Sequence, residues 1–268
     1  MGSPEAGGGT GTFWDHLDVL RGYLLRAVAV TVACGLVAFC FKDTLFAIVL
    51  APKDPGFCTY RLLARLGGAW GVPGMIPGDF SVRLINTALT EQFLIHMKVA
   101  LYAGLLCASP YVLYLLFRFV SPALYDHERR DAVRTVGAGY VMFLAGTALN
   151  YFLIFPLTFR FLGTYQVSAQ VENTVTLQSY MDTLLTMSLL LGIVFEIPVV
   201  CWLLARFGVL GSAFMRRYRR HAWVAVLVVG AVITPTSDVF TLLLVSVPMA
   251  LLYEAGIWVV AATEKGKA

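Results

Sequence analysis

Long apolar runs separated by short charged segments dominate the pattern of this chain. The five longest runs cover residues 24–41, 99–117, 135–157, 184–205 and 240–260. Each is close to the roughly 20 apolar residues that a helix needs to cross the hydrocarbon core of a bilayer. A sixth run, residues 222–233, would extend only about 18 Å as a helix. The pattern therefore predicts six membrane-spanning helices, the fifth of which is too short for an ordinary bilayer.

Composition supports an integral membrane protein with one all-α domain. Of 268 residues, 59% are hydrophobic and 13% are charged, whereas soluble domains are about 25% charged. A soluble globular domain is thereby excluded. We expect a flexible glycine-rich tail over residues 1–12, a six-helix membrane domain over 13–262 and a short cytoplasmic tail over 263–268. The predicted spans are about 24–41, 93–117, 135–157, 182–205, 222–234 and 240–260.

Arginines gather in the short segments on one side of the predicted spans. This side carries Arg21, Arg26, Arg118, Arg129, Arg130, Arg134, Arg206, Arg216, Arg217, Arg219 and Arg220. Basic residues in short loops mark the cytoplasmic side of a membrane protein. Both termini are therefore predicted to be cytoplasmic. The net charge of +4 is spread along these loops and does not indicate nucleic-acid binding.

The segments outside the spans also have predicted structure. Phe13, Leu17, Leu20 and Leu24 recur at helical spacing, which predicts an amphipathic helix on the cytoplasmic surface ahead of the first span. The first outer loop, about 42–90, contains a predicted short helix at 60–66 and a brief strand at 80–84. The second outer loop, roughly 158–180, is polar, and the third, 234–239, is a tight turn.

Glu196 is the residue that the apolar pattern explains least. It stands inside the fourth predicted span, with uncharged residues on both sides. A charged residue at a helix centre costs about 2.5–3.5 kcal/mol on insertion scales, so such an acid is a functional candidate by default. The alternative is a structural hydrogen bond to a neighbouring helix. Pro198, two residues further on, is expected to kink this span.

Other charged residues have simpler interpretations. Glu254 is expected to reach the membrane interface from the last span, and Asp238 to cap the start of that helix. Glu91 and Lys98 lie two helical turns apart on one face, so they are either partners or separate interfacial anchors. Glu128, taken alone, is most simply a solvated loop acid paired with a nearby arginine.

No motif for enzymatic chemistry accompanies these residues. The four histidines and five cysteines have no metal-ligand spacing, and no nucleophile elbow or phosphate-binding loop is present. The sequence predicts no catalytic residue, no metal and no cofactor, which disfavours a membrane-embedded hydrolase. Glycines within the spans, such as Gly146, are expected to permit close helix packing.

The charged island between the second and third spans resembles a known family. Residues 121–130, Ser-Pro-Ala-Leu-Tyr-Asp-His-Glu-Arg-Arg, closely resemble the first cytoplasmic loop of TatC, the multispanning subunit of the twin-arginine protein translocase. Further matches follow in family order. Residues 16–21 match the family motif H-L-x-E-L-R, residues 195–198 match F-E-x-P, and residues 234–238 match T-P-x-D. Ala51-Pro52 matches the start of the first outer loop, and residues 90–93 with Lys98 match the start of the second span.

The resemblance, which covers residues 13 to about 260, implies a receptor rather than an enzyme. The family forms a glove-like, concave bundle of six helices, with short fifth and sixth helices, in the bacterial inner membrane. It binds signal peptides with two consecutive arginines at the cytoplasmic face. It also self-associates and assembles with single-span TatA/TatB-type subunits, and it exports folded proteins using the protonmotive force.

The resemblance also implies which residues bind the peptide. Carboxylates bind guanidinium groups through strong, charge-assisted bidentate hydrogen bonds, and the family uses the loop acid that matches Glu128. Glu196 matches a buried acid that faces the concave side. The implied peptide-binding residues are Glu128, Asp18, Arg21, Phe119, Pro122, Tyr125 and Arg129. Other family-matched positions are Pro52, Glu91, Phe93, Lys98, Asp238 and Glu254.

One departure from the family pattern falls in the N-terminal motif. The family usually has a glutamate where this chain has Val19, and that glutamate helps to hold the signal peptide. Asp18 points about 100° away from position 19 on a helix, whereas Asp15, one turn earlier, shares nearly the same face. We expect that Asp18 or Asp15 partly compensates, or that the chain relies more on Glu128.

A proton-coupled transporter of small solutes is the alternative function. Glu196 would then carry the proton. Transporters of this kind usually contain an internal repeat and a polar pocket near the bilayer midplane, and the sequence shows no repeat.

Overall fold

The computed structural model is almost entirely helical, and it describes residues 13–70, 82–120, 129–166, 168, 174–235 and 238–265. Its helices are α1 Phe13–Phe39, α2 Lys42–Leu50, α3 Cys58–Trp70, α4 Glu91–Val120, α5 Arg129–Leu149, α6 Phe155–Thr164, α7 Leu177–Val194, α8 Ile197–Arg206, α9 Ser212–Arg217, α10 Arg219–Ile233 and α11 Val239–Lys265. The predicted all-α membrane fold is confirmed.

The helices make six passes through the bundle. The first two passes are α1 and α4, and the third runs from α5 through a π-helical turn, Asn150–Ile154, into α6. The fourth pass combines α7 and α8, and α10 and α11 are the fifth and sixth. Among the described residues, five passes are long and apolar enough to span a bilayer. The fifth, α10, has 15 residues and extends only about 22 Å.

The structure corrects two expectations, one about the length of the sixth helix and one about a separate surface helix before the first span. The sixth helix is not short, because α11 continues for 27 residues without a break, although Pro248 lies inside it. The predicted surface helix is not separate from the first span. Residues 13 to 39 form the single helix α1, since no helix-breaking proline stands between the two segments.

Aromatic contacts define the two ends of the bundle. Tyr23 of α1 meets Phe119 of α4 edge-on, with ring centroids 6.4 Å apart. The C-terminus of α11 lies at the same end of the bundle, which we call the inner end. At the opposite, outer end, Phe39 meets Phe93 with ring centroids 6.5 Å apart. The first two passes are therefore antiparallel along their whole length.

A compact cap closes the outer end. It contains α2, a 3₁₀ turn at Ala51–Lys53, α3, and a two-stranded parallel sheet of β1 Leu84–Ile85 with β2 Val175–Thr176. The predicted helix at 60–66 lies within α3. Of the strand predicted at 80–84, residues 80 and 81 lie outside the described residues, and β1 begins at Leu84.

Tyr60 ties the cap to the third pass. Its hydroxyl lies 3.1 Å from the carbonyl oxygen of Pro52 and 2.9 Å from that of Pro156. The ring is buried, and burial raises the pKa of the Tyr60 phenol, so this group stays a hydrogen-bond donor. The family-matched Pro52 therefore has a structural place in the cap, as an acceptor for a buried tyrosine.

Glycines permit the closest helix crossings. A Cβ atom built on Gly104 of α4 would lie 2.4 Å from the backbone nitrogen of Gly35 and 2.7 Å from the carbonyl oxygen of Thr31 in α1. A Cβ on Gly146 of α5 would lie 2.7 Å from the carbonyl oxygen of Leu191 in α7. Small residues allow such backbone approach in membranes. The expected packing role of Gly146 is confirmed.

Replacing Gly104 by alanine should destabilise the bundle by about 1–3 kcal/mol, since α1 and α4 must separate to make room. The measurement is the thermal unfolding midpoint of the purified protein in detergent. Gly137→Ala is the matched control, because a Cβ on this glycine of α5 meets nothing within 4 Å. Equal unfolding midpoints for the Gly104→Ala and Gly137→Ala proteins would contradict the close crossing.

Candidate functional site

An open groove in the inner half of the bundle is the candidate site. It is lined by the C-terminal half of α4, the first half of α5, the end of α7 and α8, and its volume is about 590 Å³. We call it the concave groove. Its walls are mainly apolar, with Leu113, Leu116, Phe143, Ile193 and Val200 among the residues that line them. A surface of this kind favours a long apolar ligand over a small polar one.

Glu196 lies at the wall of this groove, at the break between α7 and α8. Helix α7 ends at Val194, and α8 begins at Ile197 with Pro198 in its first turn. The Glu196 backbone N–H donates to the carbonyl of Ile193 at 3.0 Å, which tightens the chain into a turn. The predicted break before Pro198 is confirmed.

The carboxylate of Glu196 is unusual in its surroundings. Its Oε1 atom is buried, and among the described residues it has no hydrogen-bond partner. Buried polar atoms are nearly always paired, because leaving them unpaired is costly. The structural hydrogen bond offered above as an alternative is therefore not formed by the Oε1 atom within the described part of the chain. This oxygen therefore lies unpaired, within the described residues, at the wall of the concave groove.

Gly139 of α5 provides the space that the carboxylate occupies. A Cβ atom at this position would lie 3.0 Å from Oε2 of Glu196 and 3.5 Å from Oε1. A larger side chain would therefore displace the acid from the groove wall. No property of the sequence had singled out Gly139, because its partner is 57 positions away along the chain.

Three of the predicted peptide-binding residues lie at the inner end. Asp18 and Arg21 are exposed on α1, one helical turn apart, and Phe119 lies near the end of α4, where it contacts Tyr23. Val19, at the position of the family glutamate, is also exposed. The inner part of α1 is thus brought to the point where the chain leaves α4.

The other predicted peptide-binding residues are not placed by the structure. Glu128, Pro122 and Tyr125 lie outside the described residues, as does the side chain of Arg129, whose backbone begins α5. The segment 121–128 connects the inner ends of α4 and α5. The role of Glu128 therefore stays a prediction.

Glu91 has a structural role at the outer end. Its Oε2 atom accepts hydrogen bonds from the backbone N–H groups of Thr87 at 2.9 Å and Ala88 at 3.1 Å. Its Oε1 atom accepts one from the N–H of Gln178 at 2.8 Å. The side chain is buried and joins the approach to α4 with the first turn of α7.

Lys98 pairs with a residue that sequence reasoning missed. Its Nζ atom lies 2.7 Å from Oδ1 of Asp182 in α7, and both side chains are partly exposed. Glu91 is occupied by backbone donors, so the two family-matched residues are separate and not partners. Phe93, on the same helix, is exposed apart from its edge-on contact with Phe39.

The last two family-matched acids stabilise the sixth pass. Asp238 caps α11, since its Oδ2 atom accepts a hydrogen bond from the N–H of Thr241 at 2.7 Å, as predicted. Glu254 does not simply reach the interface. Its Oε2 atom lies 2.5 Å from Nη2 of Arg219, at the inner end of α10.

Comparison with known proteins decides the family. The model of the family described as "Sec-independent protein translocase protein (TatC)" matches residues 15–248. This chain belongs to the TatC family. It is thus a component of the Sec-independent protein translocase, which is transport machinery rather than an enzyme.

Two relatives and one solved structure show how far the TatC likeness extends. TatC of Azotobacter chroococcum is 33% identical over 91% of this chain and 86% of its own length. TatC of Deinococcus radiodurans is 31% identical over 91% of this chain and 83% of its own length. A crystal structure of the twin-arginine translocase receptor TatC superposes with a TM-score of 0.73 at 28% identity, over 93% of this chain and 99% of that one.

Replacing Gly139 by valine should reduce translocation of a folded reporter severalfold, because the new side chain occupies the place of the Glu196 carboxylate. The measurement is the exported fraction of the reporter in cells whose only TatC is the variant. Gly137→Val, on the same helix, faces open space and should export normally.

The thermal unfolding midpoints of the two valine variants separate a displaced carboxylate from a damaged fold. Equal export by Gly139→Val and Gly137→Val would show that the position of Glu196 does not matter for transport.

Proposed function

We propose that this TatC protein is the receptor subunit that binds twin-arginine signal peptides at the cytoplasmic face of the bacterial inner membrane. It assembles with single-span TatA/TatB-type subunits and with further copies of itself. The assembly exports folded proteins, and the protonmotive force drives the export. The observation that carries the proposal is the concave groove, which has apolar walls and the partner-free Oε1 atom of Glu196, within the described residues.

The arginine-rich side of the chain supports the proposed orientation. Arg21, Arg26, Arg118 and Arg134 lie at the inner end, as do the arginines of α8, α9 and the start of α10. Under the positive-inside rule this end is cytoplasmic. Signal peptides are made in the cytoplasm, so they would meet the inner end first.

Recognition of the two arginines is the first step. Adjacent guanidinium groups need carboxylates at a boundary between water and membrane, where charge-assisted bonds are strong. Asp18 is exposed on α1. Glu128 follows Phe119 by nine residues along the chain. We assign the peptide arginines to Glu128 and Asp18, with Arg21, Phe119, Pro122, Tyr125 and Arg129 shaping the site.

Insertion of the apolar part of the peptide is the second step. Leu113, Ile193 and Val200 give the concave groove an apolar wall against which a hydrophobic segment can bury its surface. Glu196 stands within this wall. Its free Oε1 atom can accept a hydrogen bond from a polar group of the inserted peptide, a bond that is strengthened by the low dielectric of the membrane.

Local thinning of the membrane at α10 is the third step. Helix α10 begins at Arg219, which pairs with Glu254 of α11. Because α11 continues for about three further turns beyond Glu254, α10 is the shorter of the two helices at the inner end. A bilayer responds to so short a span by thinning. The lipid-facing side of α10 exposes Trp223, Val224, Val228 and Val232, which offers an apolar face to a single-span partner helix.

The alternative of a proton-coupled solute transporter is less well supported. It requires a polar pocket for the solute near Glu196, whereas the residues that line the concave groove are mainly apolar. Membership of the TatC family also favours the receptor, because a crystal structure from that family is of a twin-arginine translocase receptor.

Binding of a twin-arginine signal peptide to the purified protein tests the proposal. Replacing both arginines by lysines, or Glu128 by glutamine, should each weaken binding by about tenfold or more, since a charge-assisted hydrogen bond contributes about 1.5–3 kcal/mol. Asp43→Asn removes the same charge from the outer end and should bind normally. Equal binding of the Arg-Arg and Lys-Lys peptides would overturn the proposal.

The same assay examines the departure at Val19. If Asp15 and Asp18 compensate for the missing glutamate, changing both to asparagine should weaken binding of the Arg-Arg peptide severalfold. Undiminished binding and export by this double variant would show that compensation does not occur and that the chain relies on Glu128.

A further inference from the structure

A second cleft lies at the outer end of the bundle, between α3 and the third pass. Its volume is about 510 Å³, and the residues that line it include Arg61, Leu62 and Arg65 of α3 and Phe152 and Leu153 of the π-helical turn. We call it the outer cleft. It shares no lining residue with the concave groove, and neither signal-peptide binding nor the thin region at α10 uses it.

A hydrogen bond and a ring contact hold α3 against the third pass. The Thr59 hydroxyl donates to the carbonyl oxygen of Phe152. In a regular α-helix that carbonyl would accept from residue 156, but Pro156 has no N–H group to donate. The Phe57 ring, just before α3, stacks on the Phe152 ring with centroids 6.1 Å apart. These contacts fix the two walls of the outer cleft relative to each other.

The orientation of α3 turns two arginines towards the outer cleft. Thr59 and Tyr60 are buried where α3 meets the third pass, whereas Arg61 and Arg65 are exposed. The two arginines are four residues apart, so they share a helix face and their like charges repel. Among the described residues, neither guanidinium group forms an ion pair or a hydrogen bond. A bound anion would relieve this repulsion.

The apolar wall of the outer cleft lies near the outer boundary of the hydrocarbon core. Phe152 follows Arg134, at the inner end, by 18 positions along the third pass, which is about 27 Å as a helix. The hydrocarbon core is about 30 Å thick. Phe152 and Leu153 are 50% and 40% exposed, so they can contact acyl chains. Because α3 belongs to the cap, Arg61 and Arg65 are expected at the level of the headgroups.

We propose that the outer cleft binds an anionic phospholipid, with the phosphate between Arg61 and Arg65 and an acyl chain against Leu62, Phe152 and Leu153. The inference needs only that the chain spans a membrane and does not depend on signal-peptide binding. Arginine forms strong, charge-assisted bonds with phosphate, and basic pockets of membrane proteins bind anionic headgroups. An acidic protein segment would match the two charges but not the apolar wall, so the combination favours a phospholipid.

Native mass spectrometry of the purified protein measures this binding directly. Phosphatidylglycerol should bind roughly 20-fold more tightly than phosphatidylcholine with the same acyl chains, since each arginine contributes about fivefold. The double variant Arg61→Gln/Arg65→Gln should lose most of that preference. Lys42→Gln/Arg83→Gln is the matched control, because it removes two exposed positive charges of the outer end that do not line the outer cleft.

A further variant tests the apolar wall, and a free anion is compared with the lipid. Leu153→Gln keeps both arginines but places a polar group where the acyl chain is assigned. Both lipids should therefore bind severalfold more weakly to this variant, and the preference for phosphatidylglycerol should remain. Inorganic phosphate at millimolar concentration should neither displace the lipid nor raise the thermal unfolding midpoint of the unmodified protein.

Four results would overturn the proposal. The first is equal affinity for the two lipids, which, together with reduced export by the arginine variant, would assign the arginines to an acidic protein segment instead. The second is a preference that the arginine variant retains or that the control loses equally. The third is displacement of the lipid by inorganic phosphate. The fourth is unchanged lipid binding by Leu153→Gln, which decides the outcome if the arginine variant does not fold in detergent.

Discussion

The break in the fourth pass is the constraint on which the concave groove depends. Proline at position 198 cannot donate a backbone hydrogen bond, so the chain turns tightly at Phe195 and Glu196 before α8 begins. That turn holds an acidic side chain at the wall of an apolar groove. Gly139 supplies the space for the carboxylate. A straight fourth helix would not place the same acid in this turn.

A mismatch in length between the fifth and sixth passes is the second constraint. The aspartate cap at Asp238 fixes the outer start of α11, while the pair between Arg219 and Glu254 fixes the inner end of the short α10. One side of the bundle is consequently shorter than the other. In a bilayer this asymmetry is expected to concentrate deformation near α10.

Structural features that depend on residues close together along the chain were predictable from the sequence. The six passes, the cap at Asp238 and the break before Pro198 each depend on residues that are close along the chain. The pair of Lys98 with Asp182 and the pair of Arg219 with Glu254 were not, because they join helices that meet only after folding. The long α11 was missed for another reason, since the family resemblance implied a short helix.

If this protein is the signal-peptide receptor proposed above, the concave groove must receive the apolar part of a twin-arginine signal peptide. A photo-crosslinking residue at Val200, which lines the groove, tests this most directly, with Val247, exposed on α11, as the reference position. We expect adducts with the Arg-Arg precursor at position 200, none at position 247, and few with the Lys-Lys precursor at either position. Equal adducts at both positions, or none at position 200, would contradict it.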